Sequence, residues 1–373
     1  MKFVLAPDSF KESMTSKEAC DAMERGIKKV IKDAECIKVP MADGGEGTVE
    51  ALVWATNGSI SKVMVKGPLG NDVEAKFGML GNSKTAVIEM AEASGIALVD
   101  RDKRNPMIST TYGTGQIIKR ALDLGAERIV IGIGGSATND GGAGMIQALG
   151  VKLLDEDGNE LSFGGGELGK LSKIDISELD KRLKDIDIEV ACDVTNPLCG
   201  KFGASHIFGP QKGATEEMVL QLDKNLEHYA EKIKEYLGKD IKDVEGAGAA
   251  GGLGAALLAF LDGKLKRGID IVIEHTRLEE KLEGADFLLT GEGSIDDQTI
   301  YGKTPMGVSV VAKKKCVKSI AFGGRVLEGS ENLYNIGISS IFSITPGVIT
   351  LDEALKDGSK NLEKTVENVI RLL

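Results

Sequence analysis

Apolar positions follow two rhythms along the chain. Residues 2–6 are a short apolar run that reads as a strand, and Ala19, Met23, Ile27 and Val30 then recur at helical spacing. Thr15 and Glu18 head that stripe with the spacing of a capping box, so a helix begins there. The unit repeats as a strand over 36–42, a polar loop over 43–47 and a helix over 48–56 that ends at Asn57-Gly58. From about residue 61 the texture changes. Short runs at 63–65, 73–80 and 86–90 are separated by Gly67-Pro68, Gly70-Asn71 and Gly81-Asn82, which is the grammar of antiparallel strands. Alternation returns with a helix over 116–124, strands over 128–131, 151–155 and 189–192, and a helix over 145–149. A long amphipathic helix over 216–237 and an apolar helix over 255–261 follow, and strands at 285–290, 319–322 and 339–344 resume the opening style.

This pattern predicts an α/β fold in two domains. Residues 1–66 and 285–373 form a doubly wound, Rossmann-like parallel-sheet domain built from both ends of the chain. Residues 67–284 form an inserted mixed α/β domain, with the active site expected in the cleft.

Composition narrows the function. The net charge is −11 and aromatic residues are 4%, which argues against nucleic acid as a partner, because that surface needs a basic stripe and stacking rings. The densest apolar run, 255–261, is far too short to cross a bilayer, and the run at 2–6 is too short for a signal peptide. Five cysteines, an odd number with no C-x-x-C pair, fit a reduced cytoplasmic protein. Three histidines show no zinc spacing, and no G-x-S-x-G elbow supports a hydrolase. Glycine is the outlier, 48 of 373 residues, and it is concentrated in loops.

Ligands of parallel sheets bind beyond the carboxyl ends of the strands. The loops at those places are 7–13, 43–47, 132–144, 193–200, 291–297 and 323–325, and all are polar. The loop over 132–144 is the sharpest, with six glycines in thirteen residues. Glycines let backbone N–H groups approach phosphate oxygens, and Ser136 and Thr138 add hydroxyl donors. A bare strand-to-helix turn needs fewer. The same loop matches G-x-G-x-x-A, with Asp155 where a ribose-binding acid would stand, so a nicotinamide-dependent dehydrogenase remains open. The segment 246–251 matches G-x-G-x-x-G, and close packing through small residues explains it equally well. Gly302-Lys303-Thr304 looks like the end of a P-loop, but Asp297 stands where that motif needs glycine. Lys11, Lys212 and Arg325 are candidate anion contacts, and Asp8 is a candidate base. Asp43, Asp193, Glu292 and Asp296 are candidate Mg²⁺ ligands, more than that ion requires.

Taken together, the motifs resemble the type 1 glycerate kinase family, the bacterial glycerate 2-kinases. They are Ala6-Pro7-Asp8-Ser9-Phe10-Lys11, Ala42-Asp43-Gly44-Gly45-Glu46-Gly47-Thr48 and the loop Gly132-Ile133-Gly134-Gly135-Ser136-Ala137-Thr138-Asn139-Asp140-Gly141-Gly142. Cys192-Asp193-Val194-Thr195-Asn196-Pro197, Gly209-Pro210-Gln211-Lys212-Gly213, the glycines of 246–254 and Thr290-Gly291-Glu292-Gly293-Ser294-Ile295-Asp296 continue the match in order. The resemblance implies ATP-dependent phosphorylation of D-glycerate at the 2-hydroxyl, with Mg²⁺; 3-phosphorylation, and a small-ligand binding protein without turnover, stay open. For that chemistry Gly134, Gly135, Ser136, Thr138 and Asn139 are expected at the nucleotide and Ser9 and Arg325 at the substrate. Lys11, Asp8 and Asp193 are expected in catalysis, and Asp43 and Glu292 at the metal.

Overall fold

Phe3, Val4 and Leu5 are buried on both faces of the first strand, as a parallel strand covered by helices on either side must be. The computed structural model describes residues 1–300 and 302–373. Its strands are β1 (Lys2–Leu5), β2 (Glu35–Lys38), β3 (Ser59–Lys66), β4 (Asp72–Met79), β5 (Thr85–Glu89), β6 (Arg128–Gly132) and β7 (Lys152–Leu154). They continue with β8 (Lys173–Asp175), β9 (Asp187–Ala191), β10 (Lys264–Lys266), β11 (Phe287–Ile295), β12 (Lys318–Val326) and β13 (Ile338–Ser343).

The chain divides into two units. The first takes Met1–Asp43, Glu50–Asn57 and Arg267–Leu373. Its five strands are all parallel in the order β13-β12-β11-β1-β2. Counted within the unit, that is the doubly wound order 2-1-3-4-5, whose switch point lies between β1 and β11. Helix Ser16–Lys28 opens with the expected capping box of Thr15 and Glu18. Its Met23 and Ile27 share one core with Leu5, Leu289 and Val366.

The second unit takes Gly44–Val49 and Gly58–Lys266. Its six-stranded sheet runs β10-β9-β6-β5-β4-β3. β10, β9, β6 and β5 are parallel, and β4 and β3 are added antiparallel. The long helix Glu216–Leu237 buries Leu222, Leu226, Tyr229 and Ile233 on the expected stripe.

Four details differ from the sequence expectation. β3 pairs with β4 along its whole length, so it lies in the second unit, where the sequence put the edge after residue 66. Helix Gly268–Thr276 lies in the first unit, where the sequence put the edge at 285; a Cβ on Gly307 would stand 2.4 Å from Ile269, so this helix packs closely on helix Thr304–Lys314. β7 leaves the main sheet and pairs antiparallel with β8. β11 and β12 run on through the glycines read as loops, with Glu292 beside Gly323 and Ser294 beside Arg325. Glycine in a strand marks a close backbone approach, and a Cβ on Gly291 would stand 2.3 Å from the Phe322 carbonyl. No described helix is long and apolar enough to cross a membrane.

Candidate functional site

In the first unit, the chain beyond β1 keeps its ladder to β11, the Ala6 amide donating to the Leu289 carbonyl at 2.8 Å and the Asp8 amide to the Gly291 carbonyl at 2.9 Å. This sets Asp8 at the switch point between β1 and β11. Its carboxylate is buried and fixed at both oxygens. Thr304 Oγ1, on the first turn of its helix, donates to Oδ2 at 2.5 Å, and the Ser9 amide donates to Oδ1 at 2.6 Å. Burial, with the charge of Asp43 added, pushes the Asp8 carboxyl up to about 7, against the pull of those two donors. Glu292, near the end of β11, is also buried and accepts from Thr299 Oγ1 at 2.7 Å. Burial first, then Asp8 and Asp43, push it up to about 7, while Thr299 and Lys303 oppose the shift. Lys303 Nζ stands 3.9 Å from Glu292 and 3.6 Å from Asp296. Arg325 Nε donates to Ser294 Oγ at 2.9 Å, and Ser294 Oγ donates to Asp296 at 3.2 Å. Asp8, Asp43 and Glu292 thus form one electrostatic group, edged by Lys303. Lys11 and Arg325 are exposed, and Lys11 makes no ion pair among the described residues.

In the second unit, the loop after β6 has an open lip and a closed floor. Gly134 and Gly135 are exposed, Ser136 is buried with 7% of its surface left, and Thr138, Asn139 and Asp140 are fully buried. The backbone N–H groups of Gly134, Gly135 and Ser136 make no hydrogen bond among the described residues, while those of Ile133 and Ala137 on either side are paired. Three successive unpaired amides make an anion-binding concavity. The side chains of Thr138 and Asn139, both expected at the nucleotide, are buried in the floor of the loop. Asn139 Nδ2 donates to Ser205 Oγ at 2.9 Å, and Thr138 Oγ1 and Asn139 Oδ1 have no partner among the described residues.

Asp140 holds the floor together. Its Oδ2 accepts from the Thr111 amide and hydroxyl, both at 2.8 Å, and from the Gly144 amide at 3.2 Å. Its Oδ1 accepts from the Gly142 amide at 3.2 Å. The segment 246–254 braces the loop from the side. Gly251 has a φ of 69°, and a Cβ there would stand 2.0 Å from the Thr138 carbonyl. Gly248 meets the Pro197 carbonyl in the same way, so one glycine run presses on the loops after both β6 and β9. The packing explanation of these glycines is therefore the one realised. Asp193 is exposed just beyond β9.

The dehydrogenase alternative does not find its geometry. The fingerprint must open a helix at its third small residue, here Ala137, but helix Ala143–Ala148 begins six residues later. Asp155 sits in a turn, accepting from the amides of Asp157 and Asn159.

Sequence reasoning did not single out Thr299 and Thr304, which hold the two raised carboxyls. It had Thr304 in view only as the end of a failed P-loop. Asp43 and Glu292 fit a hard cation: they are oxygen donors whose mutual repulsion a divalent ion would relieve. Magnesium takes one or two carboxylates together with phosphates and water, so a larger acid cage is not required.

The profile of the glycerate kinase family matches residues 3–373. The chain is 54% identical over 369 residues to a protein of Bacillus subtilis (strain 168) named glycerate kinase, covering 99% of this chain and 97% of that one. It is 53% identical over 373 residues to a protein of Escherichia coli (strain K12) named glycerate 2-kinase, covering 100% and 98%. The crystal structure of a putative glycerate kinase 2 from Salmonella typhimurium LT2 superposes with a TM-score of 0.92 at 51% identity, covering 100% of this chain and 98% of that one.

Proposed function

The chain belongs to the glycerate kinase family, and from that premise we propose that it transfers the γ-phosphoryl group of ATP to the 2-hydroxyl of D-glycerate, giving 2-phosphoglycerate and ADP. The observation that carries the residue assignment is Asp8, a buried carboxylate raised to about 7 at the switch point of a parallel sheet. A general base works best with a pKa near the operating pH. Asp8 takes the proton of the 2-hydroxyl as that oxygen attacks the γ-phosphorus. The bond from the γ-phosphorus to the bridging oxygen breaks, and ADP leaves. Thr304 and the Ser9 amide fix the carboxylate so that little reorganisation accompanies the proton transfer. Asp193, exposed beyond β9, is the competing base and lacks that burial.

Phosphoryl transfer depends on positioning and charge neutralisation more than on covalent chemistry. The Ser9 hydroxyl and the Arg325 guanidinium bind glycerate, the latter through its carboxylate, and Lys11 offsets charge on the transferring group. The free amides of Gly134, Gly135 and Ser136 take nucleotide phosphate oxygens. Asp43 and Glu292 would hold Mg²⁺, which when bound neutralises phosphate charge. A reduced, cytoplasmic setting fits the five cysteines, all of them free thiols.

A coupled assay of ADP release on D- and L-glycerate tests the reading, with phosphorus NMR of the product. Turnover of D-glycerate to 2-phosphoglycerate is expected. Formation of 3-phosphoglycerate would overturn the regiochemistry, and glycerate binding without ADP release would overturn the activity. Asp8→Asn with full turnover would remove Asp8 from the mechanism, and Asp193→Asn distinguishes the competing base.

A further inference from the structure

Lys212 ends a short turn of 3-10 helix, Pro210–Lys212, and is only 2% exposed. Its ammonium makes no ion pair among the described residues; it donates to Ser136 Oγ at 2.7 Å and to the Thr138 carbonyl at 2.6 Å. A buried cation whose hydrogen bonds all go to neutral oxygens, with the charge of Asp140 acting only through space, is a costly arrangement, normally kept where an anion completes it. The hydroxyl of Thr138, whose carbonyl the ammonium meets, is buried without a partner among the described residues, so the floor of this loop holds unused hydrogen-bonding capacity. Burial also pushes the ammonium down to about 7, with the charge of Asp140 opposing the shift.

The ammonium is too deeply buried for direct contact with a ligand at the lip. It reaches the lip through Ser136. An ammonium has no lone pair, so Ser136 can only accept from it, and the serine hydrogen must point elsewhere. Ser136 Oγ has no other partner among the described residues, and the free amides of Gly134, Gly135 and Ser136 lie in the same turn. We propose that Lys212 is a positioning residue: it turns the Ser136 hydroxyl outward as a donor and supplies positive potential from beneath, so that this loop grips an anionic oxygen of the bound nucleotide. The hydroxyl donates one hydrogen bond, the three amides supply the rest, and the lysine charge strengthens each of them in a water-poor setting. This deepens the assignment of the loop to the nucleotide and rests on it.

The test is a double-mutant cycle on the full chain with Ser136→Ala, Lys212→Met and the pair, and Ser136→Thr as the conservative variant. The ATP dissociation constant is measured by calorimetry without glycerate, and the KM for glycerate at saturating ATP. Each single change is expected to weaken ATP by about ten-fold or more, and the double change by no more than the worse single one, because both break one relay. Ser136→Thr is expected to restore most of the affinity. Additive losses, or Ser136→Ala with unchanged affinity for both ligands, would overturn the relay. The second result decides even if Lys212→Met fails to fold. Should the same non-additive loss appear in the glycerate KM while ATP affinity is untouched, the relay stands and the nucleotide assignment of the loop falls.

Discussion

The two units bury charge of opposite sign in the same manner. The first surrounds Asp8 and Glu292 with apolar strands and gives each one threonine hydroxyl. The second buries Lys212 and gives it one serine hydroxyl and one carbonyl. Both clusters sit at the carboxyl ends of parallel strands, and both hold their ionisable group near neutrality, with Asp8, Glu292 and Lys212 each at about 7. The contrast lies in what each leaves unsatisfied. The acid cluster has excess negative charge and takes protons or cations. The glycine loop has free N–H groups over a buried cation and takes anions. A kinase handles both kinds of ligand, and under the proposed residue assignment each kind has its own fold unit.

The comparison breaks most sharply at Asp8. Asp8→Asn is expected to lower kcat by about 10²–10⁴-fold, the usual share of a general base. The same change should stabilise the metal-free protein at pH 8. The folded carboxyl is raised from 3.8 to about 7, so between those values the folded chain keeps a proton that the unfolded chain releases, and stability is lost as pH rises. A gain of a few kcal/mol in urea unfolding at pH 8, absent at pH 4, is expected. An equal effect at both pH values would deny that burial sets this group apart.

In the second unit Asp140→Ala should destabilise by about 3–5 kcal/mol, since it strands buried donors from Thr111, Gly142 and Gly144. Chemical unfolding measures it. Lys212→Met should act in the opposite sense to ordinary core mutations. The folded ammonium is lowered from 10.5 to about 7, so the wild type gains stability as pH rises from 7 toward 10.5. The variant should lose that slope and be more stable below pH 7, by a few kcal/mol at most. Melting curves across that range decide it; a variant less stable below pH 7 would mean that the lysine serves the fold. The smallest effect is at Thr304. Thr304→Val should lower kcat about ten-fold with little change in the glycerate KM, and Thr304→Ser should restore it.

Much of this was visible in the chain. Strand and helix order followed from periodicity, because β1, helix Ser16–Lys28 and helix Glu216–Leu237 each bury one predictable set of positions. Asp8, Asp43, Glu292 and the loop after β6 could be picked out as candidates because ligands of parallel sheets bind beyond the carboxyl ends of the strands. Three things were hidden, each for a stated reason. β11 and β12 extend through Gly291, Gly293, Gly323 and Gly324, and glycine reads as a turn when the neighbouring backbone is unknown. Thr304 comes from a distant helix, and nothing local in Gly302-Lys303-Thr304 announces a bond to a residue 296 positions away. Lys212 reads as an anion contact, but its burial is not legible, because burial of a charge is decided by the helix and loops folded over it.

The split origin of the first unit also governs the order in which the molecule can be made. Phe3 of β1 pairs with Phe287 of β11, and Asp8 meets Thr304. A chain emerging from the ribosome therefore releases every residue of the second unit, which ends at Lys266, before it releases the strand that β1 waits for. The glycine loop after β6 can mature during synthesis, whereas the cluster of Asp8, Asp43 and Glu292 can close only near the end. Until then the first strand has only β2 to pair with, and a chain truncated before β11 would keep Asp8 but lack its partner Thr304 and the second buried acid, Glu292.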